Sequence, residues 1–133
     1  MKRNEPVASL KATLAERLEN HLELVFALLY GSAMEGSAFH DLDVGTYVDR
    51  TLIAPSNDLD CMPALSEELS HDMLYQVDVR VINDAPLTFR YNVSRGQELI
   101  VNDFEALARF RESVWDEYLD FQPIALQYLR DMR

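Results

Sequence analysis

Apolar residues recur at steps of three and four from Val7 to Asn20, at Val7, Leu10, Leu14 and Leu18, which is the spacing of one helix face. Leu22 to Tyr30 (LELVFALLY) is rich in apolar residues and stops at Gly31-Ser32. It reads as a buried strand, with helix the alternative at that length. Gly31 to Gly36 is small and polar, either a loop or a loop feeding one helical turn. Asp41 to Val48 (DLDVGTYV) alternates at its start, putting Leu42, Val44 and Thr46 on one face of a strand. Pro55, Ser56, Asn57 and Asp58 mark a turn across residues 54–60. Pro63 to Leu74 then reads as a helix with Pro63 in its first turn. Gln76 to Ile82 alternates strictly, with Val77, Val79 and Val81 on one face, and is the clearest strand in the chain. A helix over 86–95, an extended piece over 98–101 and a long helix from about Asp103 complete the pattern. In that last helix Phe104, Leu107, Phe110, Val114, Tyr118 and Phe121 form a stripe, and Pro123 is expected to end or kink it.

The order helix, strand, loop, strand, helix, strand, helix predicts an α/β (α+β) fold, a small mixed sheet packed with helices and a long C-terminal helix. A length of 133 residues suits one domain over 1–133. The longest apolar run, Leu24 to Tyr30, is far shorter than the ~20 residues that span a bilayer. The start, MKRNEPVASL, carries no apolar signal-peptide core. The expectation is a cytoplasmic protein without membrane contact. One cysteine, Cys61, excludes an internal disulfide framework and any multi-cysteine zinc site.

Charge changes the picture when divided along the chain. The net of −11 comes almost wholly from residues 31–85, which hold eleven acids and two bases. Such a surface repels phosphate backbones and argues against direct nucleic-acid binding. It suits metal cations or a basic protein partner, although acidity alone also serves solubility.

The stretch richest in chemistry is Tyr30-Gly31-Ser32, then eight residues, then Asp41-Leu42-Asp43. On a strand, Asp41 and Asp43 project from one face, where two carboxylates repel each other unless a cation sits between them. Mg²⁺ takes oxygen ligands and combines one or two carboxylates with substrate phosphates. Asp78 faces away from the valines that flank it, and approaches the pair if the two strands are neighbours. Three carboxylates can hold two metals for phosphoryl or nucleotidyl displacement. Gly31-Ser32 offers a backbone that lets phosphate approach closely and a hydroxyl donor.

A strand ending in Gly-Ser, then Asp-apolar-Asp opening the next strand, then Asp on a later one, resembles the DNA polymerase β superfamily of nucleotidyltransferases. More narrowly, the chain is similar to the minimal nucleotidyltransferase (MNT) antitoxins that pair with HEPN ribonuclease toxins. The similarity covers residues 9–125 and includes Asn92 to Asp103, Phe110 and Tyr118-Leu-Asp-Phe121. It implies a nucleotidyltransferase-like fold in which Asp41, Asp43 and Asp78 are catalytic and hold Mg²⁺. Gly31 and Ser32 would bind the triphosphate of ATP. It further implies transfer of AMP to a tyrosine of a HEPN-type toxin, with Asp78 placed to take the tyrosine proton, and the possibility of a homo- or hetero-oligomer. The loop from Gly-Ser to the first aspartate is shorter than is usual there, so an antitoxin that neutralises by binding alone is the alternative. A small-molecule acceptor ranks last, because such relatives usually need an added domain.

Other residues carry less. His21, His40 and His71 have no metal-ligand spacing, and nothing near Cys61 would activate its thiol. Arg80 is expected on the face of Asp78, paired with it or its neighbours, and triphosphate contact is the minority reading for Arg80 and Arg95. The final helix has more apolar positions than a small sheet can cover, so Trp115, Tyr118 and Phe121 are candidates for partner contact.

Overall fold

The computed structural model describes residues 7–31, 33 and 41–131. Four strands form one sheet in the order β3-β2-β1-β4, from β1 (Leu24–Tyr30), β2 (Asp41–Val48), β3 (Gln76–Val81) and β4 (Gln97–Val101). β1 runs antiparallel to both β2 and β4, whereas β2 and β3 are parallel. The sheet is therefore mixed, as expected. Helix α1 spans Val7–Leu18, α2 Asp58–Ser70, α3 Leu87–Ser94 and α4 Phe104–Asp131. Parallel pairing of β2 and β3 demands a crossover, which α2 supplies.

Helices cover both faces of the sheet. On one, Leu10, Leu14 and Leu18 of α1 and Met62, Leu65 and Leu69 of α2 meet Leu42, Val44, Val77 and Val79 in one buried cluster. On the other, Val93 of α3 and Leu107, Phe110 and Val114 of α4 close over Phe26, Leu28 and Tyr30. β1 contributes to both clusters, which explains its almost unbroken apolar sequence: neither face meets water. Gly45 of β2 accommodates α3, since a Cβ there would lie 2.5 Å from Val93 Cγ1.

Two prolines behave differently from the sequence expectation. α2 begins at Asp58, not at Pro63, with Asp58 and Asp60 in its first turn and Pro63 inside the helix. The preceding turn is a single 3-10 turn over Pro55–Asn57, and acids near a helix N-terminus are favoured by the peptide dipoles. α4 likewise runs unbroken through Pro123. A helical proline deprives the carbonyl four residues earlier of its donor. Here those carbonyls belong to Leu59 and Leu119, which are both well exposed, so water can serve them.

Polar ties fix the layers. The hydroxyls of Ser66 and Ser70 on α2 accept the N–H groups of Val79 and Val77, each at 2.9 Å, along the outer edge of β3. Between β1 and α2, His21 Nδ1 faces Glu23 at 2.7 Å and Nε2 faces Glu68 at 2.9 Å. Among the described residues, no helix is long and apolar enough to cross a membrane.

Candidate active site

The strand alternation that sends Leu42, Val44, Val77 and Val79 into the core sends Asp41, Asp43, Asp78 and Arg80 to the opposite face. In the parallel β2–β3 pair, Asp43 stands in register with Asp78, and Asp41 with Gln76. Adjacent parallel strands therefore bring Asp78 beside the Asp41/Asp43 pair, as the sequence reading required. Asp41 is exposed, while Asp43 and Asp78 are half-buried.

Gly31 completes this end of the sheet. Its φ of +88° lies in the left-handed region, and a Cβ there would meet Asp43 Oδ2 at 2.5 Å. Glycine is needed twice over, for the turn out of β1 and for the space the carboxylate occupies. Ser32 and His40 lie outside the described residues.

Electrostatics mark the same spot. Burial pushes the Asp43 carboxyl above the usual carboxylate range, and the charges of Asp78 and Asp41 push it further, against the opposing effect of Arg80. Tyr30, the register partner of Asp43, opens the Tyr30-Gly31-Ser32 stretch but has no role in the sequence reading, because it also reads as the end of an apolar run. Burial, the Asp43 charge and the Asp78 charge raise its phenol to about 12 against the pull of Arg80, so it remains a donor at neutral pH. Arg80 Nε donates to Asp78 Oδ2 at 3.0 Å, which is the pairing expected of two residues on one strand face.

The residues suit a hard cation. All three carboxylates offer oxygen, and their mutual repulsion at Asp43 is what a cation would relieve. Among the described residues, no three His, Cys, Asp or Glu side chains are gathered into a metal site by themselves. Mg²⁺ usually needs no such cage, since substrate phosphates supply part of its shell. An open cleft of about 850 Å³ passes Asp41, Asp43, Asp78 and Arg80 and continues along Pro63 and Ser66 of α2, which leaves room for a substrate at the carboxylates.

A sequence model of the polymerase beta nucleotidyltransferases matches residues 12–105. The chain belongs to that family. The match takes in all of the β-sheet and stops at the start of α4. No curated protein sequence matches this nucleotidyltransferase. Among solved structures, it resembles a complex of tri-AMPylated HEPN toxin with MNT antitoxin from Shewanella oneidensis. The TM-score is 0.68 at 16% identity, over 94% of this chain and 97% of that one. A toxin–antitoxin structure with AMP-PNP gives 0.69 at 17% identity, over 92% and 97% of the two chains. The toxin–antitoxin MntA-HepT gives 0.65 at 16% identity, over 94% and 97%. The nucleotidyltransferase therefore shares the fold found in these toxin–antitoxin complexes along nearly its whole length.

Proposed function

We propose that the chain is an antitoxin-type protein adenylyltransferase, moving AMP from ATP to a tyrosine of a cognate HEPN ribonuclease toxin. The observation that carries this reading is the register pairing of Asp43 with Asp78 beside Gly31, with Asp41 two residues away on the same face. Family membership and the likeness to a complex of tri-AMPylated HEPN toxin with MNT antitoxin support the same chemistry.

Asp41, Asp43 and Asp78 would hold Mg²⁺, which when bound supplies charge stabilisation at the phosphates. The chain's own residues do the rest. Gly31 leaves the backbone bare where a phosphate approaches, and Ser32 offers its hydroxyl to the triphosphate. The acceptor tyrosine oxygen bonds to the α-phosphorus as the bond from that phosphorus to the pyrophosphate oxygen breaks. Asp78 takes the phenolic proton. Tyr30, the register partner of Asp43, keeps its own phenolic proton at neutral pH.

A second reading has its own support: Arg80 occupies an oxygen of Asp78, which fits a site that has fallen idle in an antitoxin acting by contact. One experiment separates the two. The protein is incubated with the HEPN-type product of the adjacent gene, Mg²⁺ and α-labelled ATP, beside an Asp41→Asn/Asp43→Asn control. Label on the partner with the wild-type chain alone establishes the transferase. A stable complex that never acquires label establishes the contact inhibitor.

A further inference from the structure

The apolar stripe of α4 leaves the core partway along the helix. Leu107, Phe110 and Val114 are buried, while Trp115, Leu119 and Phe121 are exposed by 45%, 61% and 51%. From Trp115 to Asp131 the helix continues for roughly 25 Å at ~1.5 Å per residue. A soluble helix normally turns its apolar side to its own core, whereas Trp115, Leu119 and Phe121 are open to solvent.

Trp115 and Tyr118 are held in place. Tyr118 stacks on Tyr91 of α3 with centroids 3.8 Å apart and planes within 7°. The Arg95 guanidinium sits 5.8 Å over the same Tyr91 ring, and Trp115 Nε1 donates to Ser94 Oγ at 3.0 Å. Between Tyr91, Arg95, Trp115, Tyr118 and Leu119 lies a groove of about 350 Å³, enough for an apolar side chain or two. Rigid aromatics lose little freedom on binding, which makes them effective anchors.

Beside the groove runs a row of acids. Glu112, Asp116 and Asp120 recur every four residues, so they stack along one line of the helix. Like charges at that spacing disfavour the isolated helix, and among the described residues none of the three has an ion-pair partner. A second copy of the chain would set acid against acid, at a net charge of −11 each.

We propose that this groove and its acidic row form the docking surface for the protein substrate, which presents an apolar side chain flanked by lysines or arginines. The proposal rests on the reading of the chain as a transferase acting on a protein. α3 connects the surface to the carboxylates, since Phe89 meets Tyr30 edge-on at 5.6 Å while Tyr91, two residues on, meets Tyr118. A partner seated here lies on the carboxylate face of the sheet.

The test uses the intact chain and the HEPN-type product of the adjacent gene, with binding followed by calorimetry and label transfer in parallel. Leu119→Arg, on an exposed position, should weaken the complex at least 10-fold and raise KM for the partner while kcat holds. Asp116→Lys/Asp120→Lys should slow association at low salt, with the difference closing as salt rises. Wild-type melting temperatures in both variants would show that folding is intact. Binding and transfer untouched in Leu119→Arg would overturn the docking surface and leave the transferase standing. Binding lost in Leu119→Arg but no label ever transferred by the wild type would keep the surface and remove the transferase. No binding by the wild-type chain, or a self-dimer that Leu119→Arg dissolves, would also overturn the proposal.

Discussion

The two faces of the sheet are made by the same strands and do opposite work. On β2, Leu42 is fully buried against α1 and α2, while its neighbours Asp41 and Asp43 stand on the far side among like charges. β3 repeats the arrangement with Val77 and Val79 against Asp78 and Arg80. One face lowers the free energy of folding by removing hydrocarbon from water. The other gives some of that back, since a half-buried carboxylate with two acidic neighbours disfavours the folded state at neutral pH. Stability and chemistry here are separated by a single residue step along a strand.

Substitutions at adjacent positions test that separation most severely. Leu42→Ala should cost about 2–5 kcal/mol of stability, as burying less and leaving a cavity does, with transfer per folded molecule preserved. Asp43→Asn should leave the melting temperature unchanged or higher, because it removes a repelled charge. It should also lower label transfer at least about 100-fold, the upper range seen when only a supporting group of a metal site is lost. Denaturation curves and label transfer on both proteins would decide it. A destabilised Asp43→Asn, or a folded Leu42→Ala with no transfer, breaks the division of labour.

Gly31→Ala sharpens the comparison where both roles meet. A side chain at φ +88° costs about 1–3 kcal/mol, and the new methyl must displace Asp43 Oδ2. Transfer should fall by more than the stability loss explains when measured well below the melting temperature.

The smallest effect belongs to the opposite end of the sheet. Burial lowers the proton affinity of His21, yet its hydrogen bonds to Glu68 and Glu23 outweigh that and leave its pKa raised. A raised folded value means that the clamp contributes fully below about pH 6.5 and fades as pH climbs through the higher folded pKa. Melting temperature should therefore decline modestly between pH 6 and 8.5, and His21→Gln should flatten that part of the slope.

Much of this architecture was legible because its signals are local. Alternation at Asp41–Val48 and Gln76–Val81 gave both strands and the side on which their acids lie. Gly31 was legible as a place for close approach, although what approaches most closely within the chain is Asp43 itself. The helix ends were harder, since a proline such as Pro63 or Pro123 ends a helix less readily where water can serve the carbonyl it deprives, and exposure of Leu59 and Leu119 is a property of the packed chain. The role of Tyr30 was illegible for a related reason. An apolar run does not say which of its residues will lie beside a carboxylate from another strand. Trp115, Tyr118 and Phe121 all keep part of their surface exposed, as the surplus of apolar positions implies, with Tyr118 half-buried on Tyr91.

The two serines of α2 act as a gauge between unlike structures. One helical turn, four residues from Ser66 to Ser70, advances ~6 Å, and two residues of strand, from Val77 to Val79, advance ~6.6 Å. Because the steps are nearly commensurate, both hydroxyls meet both amides at 2.9 Å, and the residue clasped between the two amides is Asp78. A shift of α2 by one position would lose both contacts at once, so the helix has a single seat on the sheet. The longitudinal position of the third carboxylate is thus set to a fraction of a residue by two hydroxyls on a helix.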